Sequence, residues 1–267
     1  MNDAATQKPG SAARTKGRNI IAVASGKGGV GKTWFSITLA HAMANSGRRV
    51  LLFDGDLGLA NLDVQLGMMA KVDLGAVLAG RVSLAQAVTL YEEGGFDVIA
   101  GRSGSGALAN LAANRLQMLL DELTQLAASY DYVIIDLGAG IDSTVRRLAY
   151  AAGRIVVLVT DEPTSLTDGY AFIKVTHNER PDAVIGVVTN QMSSTNEGER
   201  TYNTLNKACQ GFLKFSPPHL GSIRRDDNVK KAIRAQSSIV TRHPSSDATE
   251  DVKQIARLLR RESNEGA

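Results

Sequence analysis

Residues 19–34 read NIIAVASGKGGVGKTW, and this stretch decides the fold. Ile20 to Ala24 is an unbroken apolar run with no polar alternation, which predicts a β-strand covered on both faces. It leads into Gly26-Lys27-Gly28-Gly29-Val30-Gly31-Lys32-Thr33, and a helical pattern follows over Lys32–Ser46. Strand, G-x-x-x-x-G-K-T and helix in that order define a phosphate-binding loop. Its glycines let consecutive backbone N–H groups turn inward on phosphate oxygens, and the helix N-terminus adds partial positive charge. Lys32 reaches the β- and γ-phosphates, and the Thr33 hydroxyl is placed to hold Mg²⁺. Gly28, Gly29, Val30, Gly31 and Trp34 complete the expected nucleotide contacts. Lys27 is a second lysine inside the loop; a role in the site and a solvated surface position both fit its spacing.

Outward from the loop, short apolar runs alternate with amphipathic stretches. Strands are expected at Asn19–Ala24, Val50–Phe53, Phe96–Ala100, Tyr132–Ile135, Ile155–Thr160, Ala183–Thr189 and Leu220–Ile223. Helices are expected at Lys32–Ser46, Ala112–Ala128, Asp142–Ala152, Thr164–His177, Glu199–Cys209, Asp226–Ala235 and Asp247–Arg261. This alternation predicts an α/β fold, a doubly wound and mostly parallel sheet with helices on both faces and ligands at the carboxyl ends of the strands. One domain is expected over 19–261, with disordered tails at 1–18 and 262–267.

Two carboxylate clusters follow strands. Val50–Phe53 runs into Asp54-Gly55-Asp56, where spacing by two in an extended segment points both acids to one face. One could orient metal-bound water and the other an attacking water; Asx-turn chemistry is the alternative for Asp54. Tyr132–Ile135 leads to Asp136 and then Gly138 and Gly140, the Walker B pattern of an acid that holds a water on Mg²⁺. The expected metal-site residues are therefore Thr33, Asp54 and Asp136, and the expected catalytic residues are Lys32 and Asp56.

These motifs resemble the MinD/ParA family of P-loop ATPases. The doubled lysine, Lys27 and Lys32, is similar to that family's deviant Walker A loop, and DGDLGLANLDVQLG over Asp54–Gly67 resembles the first switch of the MinD branch. DEPTSLTDGYAFIK over Asp161–Lys174 is similar to the FlhG-type regulators of flagellar number. The resemblance spans about Asn19 to His243 and implies ATP and Mg²⁺ as cofactors, a homodimer formed with ATP, and hydrolysis that dissolves it. It further implies that Lys27 is a third catalytic residue, which reaches the partner's nucleotide, that Asp56 positions the attacking water, and that Asn190 reads the adenine. The Leu220–Arg225 loop would close over the base, although family members carry Pro where this chain has Arg224. Flagellar assembly or regulatory proteins are the implied partners. Many FlhG proteins begin with a DQAxxLR-type activating helix; Met1–Arg18 contains none, so the chain is not expected to carry its own activator.

Composition narrows the alternatives. The chain has 267 residues, 43% hydrophobic and 21% charged, with a formal net charge of +3. The first 18 residues carry Lys8, Arg14, Lys16 and Arg18 against Asp3, which leaves the remainder near neutral and gives no overall nucleic-acid field. A local basic stretch, Arg224, Arg225, Lys230, Lys231 and Arg234, keeps a ParA-type non-specific DNA partner as the runner-up. The single cysteine, Cys209, reads as a packing residue and excludes an electron carrier with a cluster held by paired cysteines. Thr189-Asn190-Gln191-Met192 is no Asn-Lys-x-Asp guanine clamp, which favours ATP over GTP. No apolar run approaches the roughly 20 residues of a spanning helix, and the N-terminus has no signal-peptide pattern. The expected location is cytoplasmic, at the inner face of the membrane or the cell pole. The Asp247–Arg261 stretch sets Val252, Ile255, Leu258 and Leu259 on one face, and this fits either a last core helix or a dock on anionic lipid.

Overall fold

The structure is a computed structural model that describes residues 17–69, 72–101 and 112–265. Eight strands form one sheet: β1 (Ile20–Ala24), β2 (Val50–Gly55), β3 (Thr89–Tyr91), β4 (Phe96–Ile99), β5 (Tyr132–Leu137), β6 (Arg154–Val159), β7 (Ile185–Met192) and β8 (His219–Arg224). Their spatial order is β3-β4-β2-β5-β1-β6-β7-β8, with every pair parallel except β3 with β4. The expected doubly wound sheet is therefore present. β3 escaped the sequence reading because three residues are too few to show a period.

Period-two alternation divides the core into two. Ile20, Ala22 and Ala24 of β1, with Leu51 and Phe53 of β2, face one layer; Ile21, Val23, Val50 and Leu52 face the other. The first layer is covered by α4 (Ala113–Ala127), α5 (Ser143–Tyr150), α6 (Pro163–Glu179) and α7 (Thr195–Ala208) through Leu119, Leu148, Phe172 and Leu205. The second is covered by α1 (Lys32–Ala44) and α10 (Asp247–Glu265) through Phe35, Leu39, Val252, Ile255 and Leu259. Each such buried side chain contributes about 1.5–3 kcal/mol. Cys209 is fully buried among the first group, and burial pushes its thiol up to about 11, as suits a packing residue.

The short helices α2 (Leu62–Leu66), α3 (Leu74–Leu78), α8 (Asp227–Arg234) and α9 (Ile239–Arg242) complete the described set. Only α8 was expected. α7 begins four residues before its expected start at Glu199, because the Ser194 hydroxyl caps it by accepting from Glu197 N at 3.2 Å.

The described residues reach a little past both expected ends of the domain. The described backbone starts at Gly17, whose carbonyl accepts from Ile20 N at 2.9 Å and Gly153 N at 2.8 Å; the rest of the predicted tail lies outside the described residues. At the other end α10 passes Arg261 and continues to Glu265, because no proline or glycine interrupts the chain before Gly266. Its apolar stripe is spent on the core: Val252 and Leu259 are fully buried and Ile255 nearly so. Through these residues α10 packs as a core element. Among the described residues no helix is long and apolar enough to cross a membrane.

Candidate nucleotide site

A cavity of about 740 Å³ opens at the carboxyl ends of β1, β2 and β5, where the sheet's connections diverge. Its walls are Gly28, Gly29, Gly31, Lys32, Thr33 and Trp34 from the loop, Asp56 and Leu57 after β2, and Gly138 and Ala139 after β5.

The loop's shape follows from its glycines. Gly29 and Gly31 hold φ of +79° and +96°, a region that side-chain-bearing residues rarely enter. A Cβ at Gly31 would also lie 2.5 Å from Asn190 Nδ2. Gly29 faces open space. Val30 turns the other way, buried in the second core layer. Gly26 is squeezed against α6, where an added Cβ would come within 2.0 Å of the Asp168 carbonyl oxygen.

Lys32 is almost fully buried, and its ammonium donates to Ser25 Oγ at 2.9 Å; Ser25 in turn donates to the Lys27 carbonyl at 2.6 Å. Burial lowers the lysine's pKa, while the charges of Asp136 and Asp56 act in the opposite direction. Asp136, at the end of β5, is fully buried and accepts from Ser36 Oγ at 3.0 Å. Burial pushes its pKa up to about 6, against the opposing pull of its hydrogen bond to Thr33, the Lys32 charge and the Ser36 bond. Asp136 thus stands directly behind the Thr33 hydroxyl, where a Walker B acid belongs. Asp56 sits across the cavity above Gly138, whose added Cβ would be 3.4 Å from its carboxylate, and accepts from Leu59 N at 3.0 Å.

Lys27 does not line the cavity. Its ammonium is paired with the Glu162 carboxylate and donates to Thr164 Oγ1 at 2.8 Å, both at the start of α6, and the side chain stays one-third exposed. The alternative of an idle solvated lysine is thereby replaced by a defined tether.

Three expected site residues are not among those that line the cavity. Asp54 is not at the cavity wall: β2 extends two residues beyond its expected end, so Asp54 lies inside the sheet, in register with Asp136. Its carboxylate accepts from the backbone N–H groups of Asp56, Asn61 and Leu62 at 3.2–3.3 Å, which engages it with its own loop. Burial and the charge of Asp136 push its pKa up to about 7. Asn190 lies within β7 and donates its amide to the Val30 carbonyl at 2.7 Å, while its own oxygen accepts from Gln191 N. In this arrangement it braces the loop. Arg224 ends β8 with its guanidinium on Asp251 at 2.8 Å and on Asp247 at 2.8 Å, both in α10, and it is not at the cavity. A partner 27 residues away could not be read from local sequence.

The residues that remain fit Mg²⁺ and a nucleotide. Among the described residues no group of three His, Cys, Asp or Glu could cage a metal, so Mg²⁺ would be held by the Thr33 hydroxyl, the nucleotide's phosphates and water oriented by Asp136. Trp34 adds a donor that sequence reasoning assigned to the nucleotide with no stated role: its Nε1 is buried with no hydrogen-bond partner. It is the chain's only tryptophan and it lines the cavity. Adding Mg·ADP should therefore change intrinsic fluorescence in a saturable way, and Lys32→Ala should remove the change. A flat titration of wild-type protein would place the nucleotide away from Trp34.

Fold, loop and acid arrangement together define a P-loop ATPase. The chain belongs to the CobQ/CobB/MinD/ParA nucleotide-binding family, whose sequence profile matches residues 21–239. It is 37% identical over 240 residues to the antiactivator FleN of Pseudomonas aeruginosa, covering 90% of this chain and 85% of FleN. It is 33% identical over 242 residues to the flagellum site-determining protein YlxH of Helicobacter pylori, covering 90% of this chain and 81% of YlxH. Among solved structures, the septum site-determining protein MinD of Pyrococcus horikoshii, complexed with Mg-ADP, shares the fold. It matches with a TM-score of 0.79 at 24% identity, over 94% of this chain and 99% of that one.

Proposed function

We propose that this ATPase is a switch that sets the number or placement of flagella, pairing as a homodimer with Mg·ATP and separating after hydrolysis. The observation that carries the reading is the near full-length similarity to two flagellar proteins, FleN and YlxH, at 37% and 33% identity. The loop N–H groups and Lys32 bind the phosphates, Thr33 and Asp136 orient the metal side, and Asp56 holds the attacking water in line. A Mg²⁺ ion held on the side of Thr33 and Asp136 would supply positive charge against the charge that develops on the phosphates. Lys27, released from Glu162 and Thr164, crosses to the partner's nucleotide. The switch works in the cytoplasm, engaging flagellar assembly or regulatory proteins at the inner face of the membrane or at the pole.

Electron microscopy of cells with and without the gene tests this reading. The expected result is a changed number or position of flagella in the deleted strain. An unchanged count would overturn the flagellar reading and direct attention to DNA partitioning. The basic stretch that would serve DNA is weaker than its sequence suggested: Arg224 is neutralised by Asp247 and Asp251, and Asp226 is used as the α8 cap.

A further inference from the structure

We propose that Asp54 is a positioning residue for hydrolysis, whose buried carboxylate closes the loop 56–62 into a ring and so fixes where Asp56 stands. Oδ1 accepts from Asp56 N at 3.3 Å; Oδ2 accepts from Asn61 N at 3.2 Å and Leu62 N at 3.3 Å. One carboxylate thus grips the loop's first residue and its last two. Leu62 opens α2, whose N-cap residue Asn61 makes no side-chain capping bond, so Asp54 supplies the acceptor that the helix start lacks. Asp54 is 1% exposed, and Gly101 closes over it: an added Cβ there would lie 3.6 Å from Oδ2 and 2.3 Å from Ala60 Cβ. The ring therefore has little room to slide. Inside it, Asp56 is held a second time by the bond from Leu59 N. Displacing a water-holding carboxylate by about 1 Å costs about 10²-fold in rate, so the grip at the base of the ring acts on turnover without touching substrate.

The role rests on the ATPase reading and separates cleanly from metal binding. Asp54→Asn has nearly the same volume but places an N–H₂ donor against backbone donors. It should lower kcat about 10- to 100-fold, with the ATP KM and the half-saturating Mg²⁺ concentration each within about two-fold of wild type. In an Asp56→Ala background the same change should add nothing further. If kcat returned at high Mg²⁺, Asp54 would be a metal-site residue and the proposal would fail. It would fail equally if kcat were unchanged, or if the two substitutions multiplied. Hydrogen exchange on nucleotide-free wild-type protein gives an arm that needs neither folding of a variant nor hydrolysis. The amides of Asp56, Asn61 and Leu62 should be protected, and exchange at free-loop rates would overturn the proposal. Absence of any wild-type turnover would instead sink the ATPase reading and leave the exchange result to judge Asp54.

Discussion

Asp56→Ala keeps Mg·ATP bound and slows its hydrolysis by about 10²–10³-fold. The expectation comes from geometry. Asp56 stands beside Gly138 in the same cavity as Lys32 and Thr33, with its Oδ1 fixed by Leu59 N. The groups that grip phosphate are all on the loop, so removing Asp56 leaves affinity nearly intact. The bond-breaking step of phosphoryl transfer asks little of the protein beyond position and charge, so losing the residue that places the water falls on kcat. Phosphate release, measured beside a nucleotide titration, checks both halves. Turnover at the wild-type rate would remove Asp56 from the water's path. In the proposed cycle the slowed variant also accumulates as ATP-bound dimer.

Lys27→Ala should weaken ATP-dependent dimerisation by about 10²–10³-fold and leave nucleotide affinity within about two-fold, by light scattering and titration respectively. Lys27 is off the cavity wall, which predicts the second half. The first half follows from a comparison of magnitudes. In the single chain Lys27 is tied to Glu162 and Thr164 while one-third exposed, and such a pair is worth roughly 0.2–1 kcal/mol. A lysine closed into an interface against phosphate is worth roughly 2–5 kcal/mol when truncated. The tether is therefore cheap to break relative to what replaces it. A normal dimer in Lys27→Ala would show that the lysine's place beside Glu162 is its only role.

Much of this was legible in the sequence because the chemistry constrains it locally. A backbone that must turn its N–H groups inward needs glycine where φ is positive, and Gly29 and Gly31 stand at those places. Asp136 was readable because four apolar or aromatic residues lead straight into it. The separation of Asp54 from Asp56 was not legible, because spacing by two implies a shared face only while the strand lasts, and β2 ends at Gly55, between the two acids. Arg224 and the α10 stripe were ambiguous for another reason. A basic side chain or an apolar face declares what it could touch, and the choice between Asp251, lipid and base is made by tertiary packing. Lys27's partners, 135 and 137 residues away, were likewise beyond any local pattern.

The sheet order carries a consequence for how the protein is made. β1 leaves the ribosome well before its neighbours β5 and β6, with Ile20 beside Val133 and Ile21 beside Arg154. At roughly 5–20 residues per second, translation needs some 6–23 s to cover the 113 residues from Ile20 to Val133. Throughout that interval the nascent chain carries its most apolar strand without a lateral partner, and the loop behind it has no Asp136 to face. ATP can meet a finished site only after β5 and Asp136 have been synthesised, so co-translational binding of nucleotide cannot guide the folding of the segment that precedes them. Early shielding of that strand falls to whatever receives the chain at the exit tunnel.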